Sequence, residues 1–114
     1  MTAEKTTEKL YSDKLISVTT HTITFYNYYF WGAEKTVLIE DIAGIEAMKA
    51  TALTGKYRYW GTSGWGGWMP LDWHRSSRDK IFLLHYKKKR FQIGFTVENS
   101  ALAENAFRQL GLMK

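Results

Sequence analysis

The densest chemistry in the chain is aromatic and cationic. Tyr57, Tyr59, Trp60, Trp65, Trp68 and Trp73 are interleaved with Lys56, Arg58, Arg75 and Arg78, and four of the five tryptophans fall between residues 60 and 73. Rings beside cations make stacking platforms, cation–π contacts and interfacial anchors. Trp65 stands between Gly64 and Gly66, with no bulky neighbour to bury it, and is the expected exposed anchor for a protein groove or a bilayer interface. Arg58, Trp60, Trp68, Arg75 and Arg78 complete this expected partner surface, the arginines as a cationic rim that orients the encounter. The competing expectation is packing, because Trp60, Trp68 and Trp73 have the bulk that a small two-sheet interior needs. A base-stacking surface ranks third, since the RNA-recognition signature is absent.

A second constellation is the run Lys87, Lys88, Lys89 and Arg90. It falls between two strand patterns, so a hairpin tip is expected, and a solvated tip tolerates any charge. The functional alternative is contact with anionic lipid, where each basic residue near the surface is worth roughly 1 kcal/mol. Charge is uneven along the chain: residues 1–50 carry five cations and seven carboxylates, residues 51–114 eleven cations and four carboxylates. The second half therefore holds the positive field behind the formal net charge of +5, which suits an anionic partner without requiring one.

Catalytic and metal signatures fail on inspection. Gly61-Thr-Ser-Gly-Trp65 lacks the closing glycine of a nucleophile elbow, and Gly64-Trp-Gly-Gly-Trp-Met69 lacks the last glycine of a dinucleotide fingerprint. Asp72, His74, Ser76 and Ser77 have the residue types of a hydrolytic triad, but neighbours in one short loop rarely converge. His21, His74 and His85 have no helical pairing that would hold a metal, and His85, on an apolar strand, reads as hydrogen-bonded packing. With no cysteine in the chain, disulfide scaffolds, iron–sulfur clusters, thiol nucleophiles and cysteine-based zinc modules are excluded. No enzyme activity, cofactor or metal is expected.

These residues need a scaffold, and 114 residues with 45% hydrophobic and 24% charged side chains suit one globular core. Residues 1–12 read as a flexible lead-in and 13–114 as the domain. Leu15-Ile-Ser-Val18 and Thr22-Ile-Thr-Phe-Tyr-Asn-Tyr28 alternate as strands around a turn at Thr20 and His21. Thr36-Val-Leu-Ile-Glu-Asp-Ile42 and residues 45–49 follow as strand candidates, with a helix over Glu46 to Ala52 as the alternative that propensity allows. Five glycines between Gly55 and Gly67 predict a long loop or irregular hairpin, and Pro70 confines the short candidate 68–73 to an edge or a bulge. Residues 80–86 and 91–97 form the strongest hairpin, with Phe91, Ile93, Phe95 and Val97 on one face. Asn99 or Ser100 caps a helix whose Ala103, Ala106, Phe107 and Leu110 make one stripe, with Gly111 as its stop.

About seven strands and one C-terminal helix give a mainly β, α+β class. That order, with Thr22-Ile-Thr-Phe-Tyr-Asn-Tyr-Tyr-Phe30, Ile39-Glu-Asp-Ile42, Trp60-Gly61, Trp68-Met-Pro-Leu-Asp-Trp73 and Ile93-Gly-Phe-Thr-Val-Glu-Asn99, resembles the small bacterial pleckstrin-homology-like domains over residues 13–112. The resemblance implies two antiparallel sheets in a partly open barrel, plugged at one end by the helix. Lipid-binding members of the wider group hold headgroup phosphates with Lys and Arg in the loop joining their first two strands. The corresponding turn here, Val18-Thr-Thr-His-Thr22, has neither, so a specific phosphoinositide pocket is not expected. The expectation is a non-enzymatic interaction module that binds a protein partner or its own copies through residues 57–78. The alternative is peripheral attachment to anionic lipid through residues 87–90. No apolar run approaches the roughly 18 residues of a membrane span, and residues 1–9 are polar and of mixed charge, so a cytoplasmic protein is expected, at most peripheral to the inner face of the membrane.

Overall fold

The computed structural model describes residues 8–29, 32–51, 59–62 and 67–113. Nine strands make two sheets among these residues, and a helix follows them. β1 (Lys9–Ser12), β2 (Ile16–Thr19), β3 (Thr22–Phe25) and β4 (Lys35–Leu38) form an antiparallel meander in chain order. A 3-10 turn (Ile39–Asp41) leads to β5 (Ile42–Lys49), and β6 (Gly61–Thr62), β7 (Trp68–Met69), β8 (Lys80–Tyr86) and β9 (Gln92–Phe95) join it in a second sheet of order β5-β8-β9-β7-β6. The two sheets do not close into a barrel.

Alternation explains the first sheet. Ile16, Val18, Ile23, Phe25 and Val37 point into the core, while Ser12, Ser17, Thr24 and Thr36 form one cross-strand row on the opposite face. Thr24 and Thr36 pair through their hydroxyls at 3.0 Å, a contact type that supports neighbouring strands. β1 starts at Lys9, inside the segment read from sequence as a lead-in. Its turn is organised by Asp13, whose Oδ1 accepts from the amides of Leu15 (2.7 Å) and Ile16 (2.9 Å). Asp13 Oδ2 accepts from the Glu98 amide at 2.8 Å and from the Tyr11 hydroxyl, which latches this turn to the start of the helix. The extra strand shifts the topology by one: the turn at Thr20 and His21 joins the second and third strands, not the first two.

The second sheet is buried on two sides along β8. Phe82 and Leu84 face the first sheet, and Ile81 faces a smaller cluster with Ala50 and Met69. Between the sheets, the Phe25, Phe82 and Phe107 rings surround Phe95 at centroid distances of 5.0, 5.6 and 6.0 Å. Phe107 comes from α1 (Ser100–Gln109), which seats Ala103, Ala106 and Phe107 in the core. The Asn99 side chain accepts from the Leu102 amide at 3.1 Å, satisfying one orphan donor of the first turn. At the other end Gly111 adopts φ 74°. Leu112 N donates to Phe107 O and Gly111 N to Arg108 O, both at 3.0 Å, the paired bonds that end a helix through a left-handed residue.

Candidate functional site

The β8–β9 hairpin presents the basic run. His85 pairs with Gln92 on the last rung of the ladder, so residues 86–91 lie beyond it. Lys87, Lys88, Lys89 and Arg90 are all exposed, and among the described residues none of the four is in an ion pair. The Lys87 amide donates to Asp41 O at 2.9 Å, fixing the base of the tip against the 3-10 turn. Lys89 Nζ sits 4.8 Å from the Tyr86 ring centroid, within cation–π range. Beside the tip is a cleft of about 600 Å³ lined by Glu40, Asp41, Tyr86, Lys87, Lys88 and Lys89. Burial, then the Asp41 charge, raises the Tyr86 phenol above its ordinary range, so it faces this cleft as a neutral hydroxyl. Four cations and two carboxylates thus share one end of the molecule, a net +2.

The aromatic segment behaves differently from its expected role. Arg58 and Trp65 lie outside the described residues. Trp60 is half-buried and meets Trp68 edge-on at 5.1 Å. Trp68 stacks on Tyr28 at 5.9 Å, and its Nε1 donates to Tyr28 O at 2.7 Å, so it ties β7 to the end of the first sheet. The expectation that Arg75 lines a solvent-facing rim is corrected, because Arg75 is 1% exposed. Its Nη2 donates to Pro70 O at 2.7 Å and its Nε to Thr96 Oγ1 at 3.3 Å. Burial lowers its pKa to about 10, so the guanidinium is still charged at neutral pH. Arg78 stays partly exposed, and its Nε and Nη2 donate to Asp72 at 2.9 and 3.1 Å.

Asp72 is the centre of this network. Its carboxylate, 3% exposed by residue, also accepts from the His74 amide at 2.9 Å and from the Thr96 hydroxyl. Burial pushes its pKa up, but the Arg78, Thr96 and His74 hydrogen bonds prevail and hold it below the usual carboxylate range. The two arginines are therefore committed to fastening residues 67–79 onto the end of β9. Trp73, by contrast, is 62% exposed and does not fill the interior; its ring lies 6.4 Å from that of Tyr59.

The triad-like residues do not converge. Asp72 faces Arg78 and Thr96, and Ser77 Oγ donates to the His74 carbonyl at 2.8 Å. His85 bridges two strands, with Nε2 2.9 Å from Glu46 Oε1 and Nδ1 3.1 Å from Gln92 Nε2. Among the described residues no group of three or more His, Asp or Glu is placed to hold a metal, and no helix is long and apolar enough to cross a membrane.

Sequence reasoning placed the four tip cations correctly at a hairpin end but missed Glu40, Asp41 and Phe91 beside them. The Ile39-Glu-Asp-Ile42 run read as a strand gave no sign that it would turn its acids toward the tip. Alternation with Ile93, Phe95 and Val97 predicts Phe91 on the core face, yet it precedes the first residue of β9 and is 40% exposed. Comparison of the chain with protein-family models, with curated proteins and with solved structures finds no match in any of the three.

Proposed function

We propose that this chain is a non-catalytic interaction module of the pleckstrin-homology-like kind that engages an anionic surface through the β8–β9 tip. The fold part of this reading draws support from the four-stranded meander, the antiparallel β5-β8-β9 unit and the C-terminal helix packed against both, with residues 50–79 as an insertion between β5 and β8. The observation that carries the functional part is that Lys87, Lys88, Lys89 and Arg90 are exposed together on a hairpin whose base is hydrogen-bonded in place. At roughly 1 kcal/mol per basic residue near an anionic surface, the four cations supply about 4 kcal/mol, which Glu40 and Asp41 reduce to about 2 kcal/mol. Binding of this kind is weak, screened by salt and reversible. The test is retention on an anionic matrix: the wild type should be retained at low salt and released well below about 1 M salt, where the screening length is ~3 Å. Flow-through at low salt would reject the reading.

A second reading, association with a protein partner or with another copy of the chain, is favoured by Trp73. A tryptophan 62% exposed, on a loop whose preceding residue is held by four hydrogen bonds, is a preorganised aromatic of the type that dominates interfaces. Light scattering after size exclusion, on the wild type and Trp73→Ala, tests it: a wild-type oligomer that the substitution dissociates supports it, and identical monomers reject self-association.

A further inference from the structure

Phe91 is the residue that the core does not explain. Ile93 and Phe95 continue its alternation and are buried to 0% and 1% exposure, whereas Phe91 lies beyond the last rung at 40%. It follows Arg90 directly, so an exposed ring stands at the root of the cationic tip. Leu38, 44% exposed, shares a shallow pocket with Ile39 and Glu40, and Glu40 in turn lines the cleft with the tip lysines. Apolar groups therefore accompany the cations on this end of the molecule.

We infer that the anionic surface engaged by the tip is the face of a lipid bilayer, with Phe91 entering the boundary between headgroups and acyl chains while Lys87, Lys88, Lys89 and Arg90 stay among the headgroups. This rests on the anion-binding reading of the tip. Two facts favour a bilayer over a soluble polyanion. Glu40 and Asp41 cut the tip to a net +2, too little for Coulomb attraction alone to hold the chain on a sparsely charged surface, so an apolar contribution decides. The cleft beside the tip is also a poor track for single-stranded nucleic acid, because Glu40 and Asp41 line it and its one ring, Tyr86, is already paired with Lys89, whereas such a track needs several free rings and cations along successive bases and phosphates.

The experiment uses the full chain and three probes: vesicles of phosphatidylcholine with about one-third phosphatidylserine, heparin, and a single-stranded oligonucleotide. Phe91 is already partly exposed, so Phe91→Ser should keep the wild-type melting temperature within a few degrees. Scaled by that 40% exposure, losing the ring weakens vesicle binding about fivefold and leaves heparin retention unchanged. Because the chain has no cysteine, Phe91→Cys accepts a single environment-sensitive fluorophore, whose emission should shift to the blue on anionic vesicles and be quenched by nitroxides near the headgroup. Equal vesicle affinity for wild type and Phe91→Ser, or no spectral shift in the bound state, overturns the bilayer inference while heparin binding keeps the tip as an anion site. A preference for the oligonucleotide that Phe91→Ser abolishes assigns the ring to base stacking and overturns it as well. Failure of the wild type on all three probes removes both readings.

Discussion

Replacing Asp72 with asparagine tests whether Arg75 and Arg78 serve the fold rather than a partner. The carboxylate accepts two hydrogen bonds from Arg78, one from the Thr96 hydroxyl and one from the His74 amide. Asparagine keeps the shape and one acceptor oxygen, but it removes the charge and turns an amide donor toward a donor. Arg78 then loses its charged partner, and Arg75, 1% exposed, loses the nearest compensating carboxylate. Removing one partner of a buried pair costs about 3–5 kcal/mol; with Arg78 partly solvated, the low end applies, about 3 kcal/mol. In a domain of this size that lowers the melting temperature by roughly 12 °C. The pH dependence has a definite sign. Asp72 titrates lower in the native state than in the unfolded chain, so its stabilisation is complete above about pH 4 and is lost as pH falls through the native value. The gap between wild type and Asp72→Asn, followed by thermal unfolding with circular dichroism, should be constant from neutral pH to about pH 4 and narrow below it. A gap under about 1 kcal/mol at neutral pH, or one that persists undiminished at about pH 2, refutes the network.

Trp68→Phe removes the 2.7 Å bond to Tyr28 O and should cost about 1–2 kcal/mol in urea unfolding; no loss would mean that this bond does not fasten β7 to the first sheet. Phe107→Ala takes out the ring that α1 inserts between the sheets, 5.6 Å from Phe82, and should cost about 3–5 kcal/mol, against a small effect for Phe91→Ser. Glu40→Gln combined with Asp41→Asn raises the tip from a net +2 to +4 and should tighten binding to anionic vesicles about thirtyfold; unchanged affinity would show that these acids do not face the bound surface.

Legibility from sequence followed periodicity. The hairpin of β8 and β9 and the helix with its Asn99 cap could be read because alternation, the i, i+3, i+4 stripe and Gly111 all agree. β1 was hidden because four residues beginning with a lysine carry too little alternation, and its latch, Asp13 to residue 98 and Tyr11 to residue 99, is made across 85 and 88 positions. The insertion was opaque for a different reason. An arginine in a Gly- and Trp-rich stretch looks solvated, and nothing local says that Arg75 will be covered by Pro70 O and Thr96. The acid that organises it, Asp72, stands three residues before Arg75 and six before Arg78; that spacing was a usable sign that the rim had an internal counter-charge. At the tip, charge was legible and its surroundings were not, since Glu40 and Asp41 arrive through the β4–β5 connection.

The most direct test of the anion-binding tip is a titration with vesicles containing about one-third phosphatidylserine, comparing the wild type with the variant Lys87→Gln, Lys88→Gln, Lys89→Gln and Arg90→Gln. All four side chains are exposed, so the variant should fold with an unchanged melting temperature. Its tip changes from a net +2 to −2, and binding measured by co-sedimentation at low salt should disappear. Wild-type affinity in the four-glutamine variant, or no wild-type binding at low salt, would contradict the account.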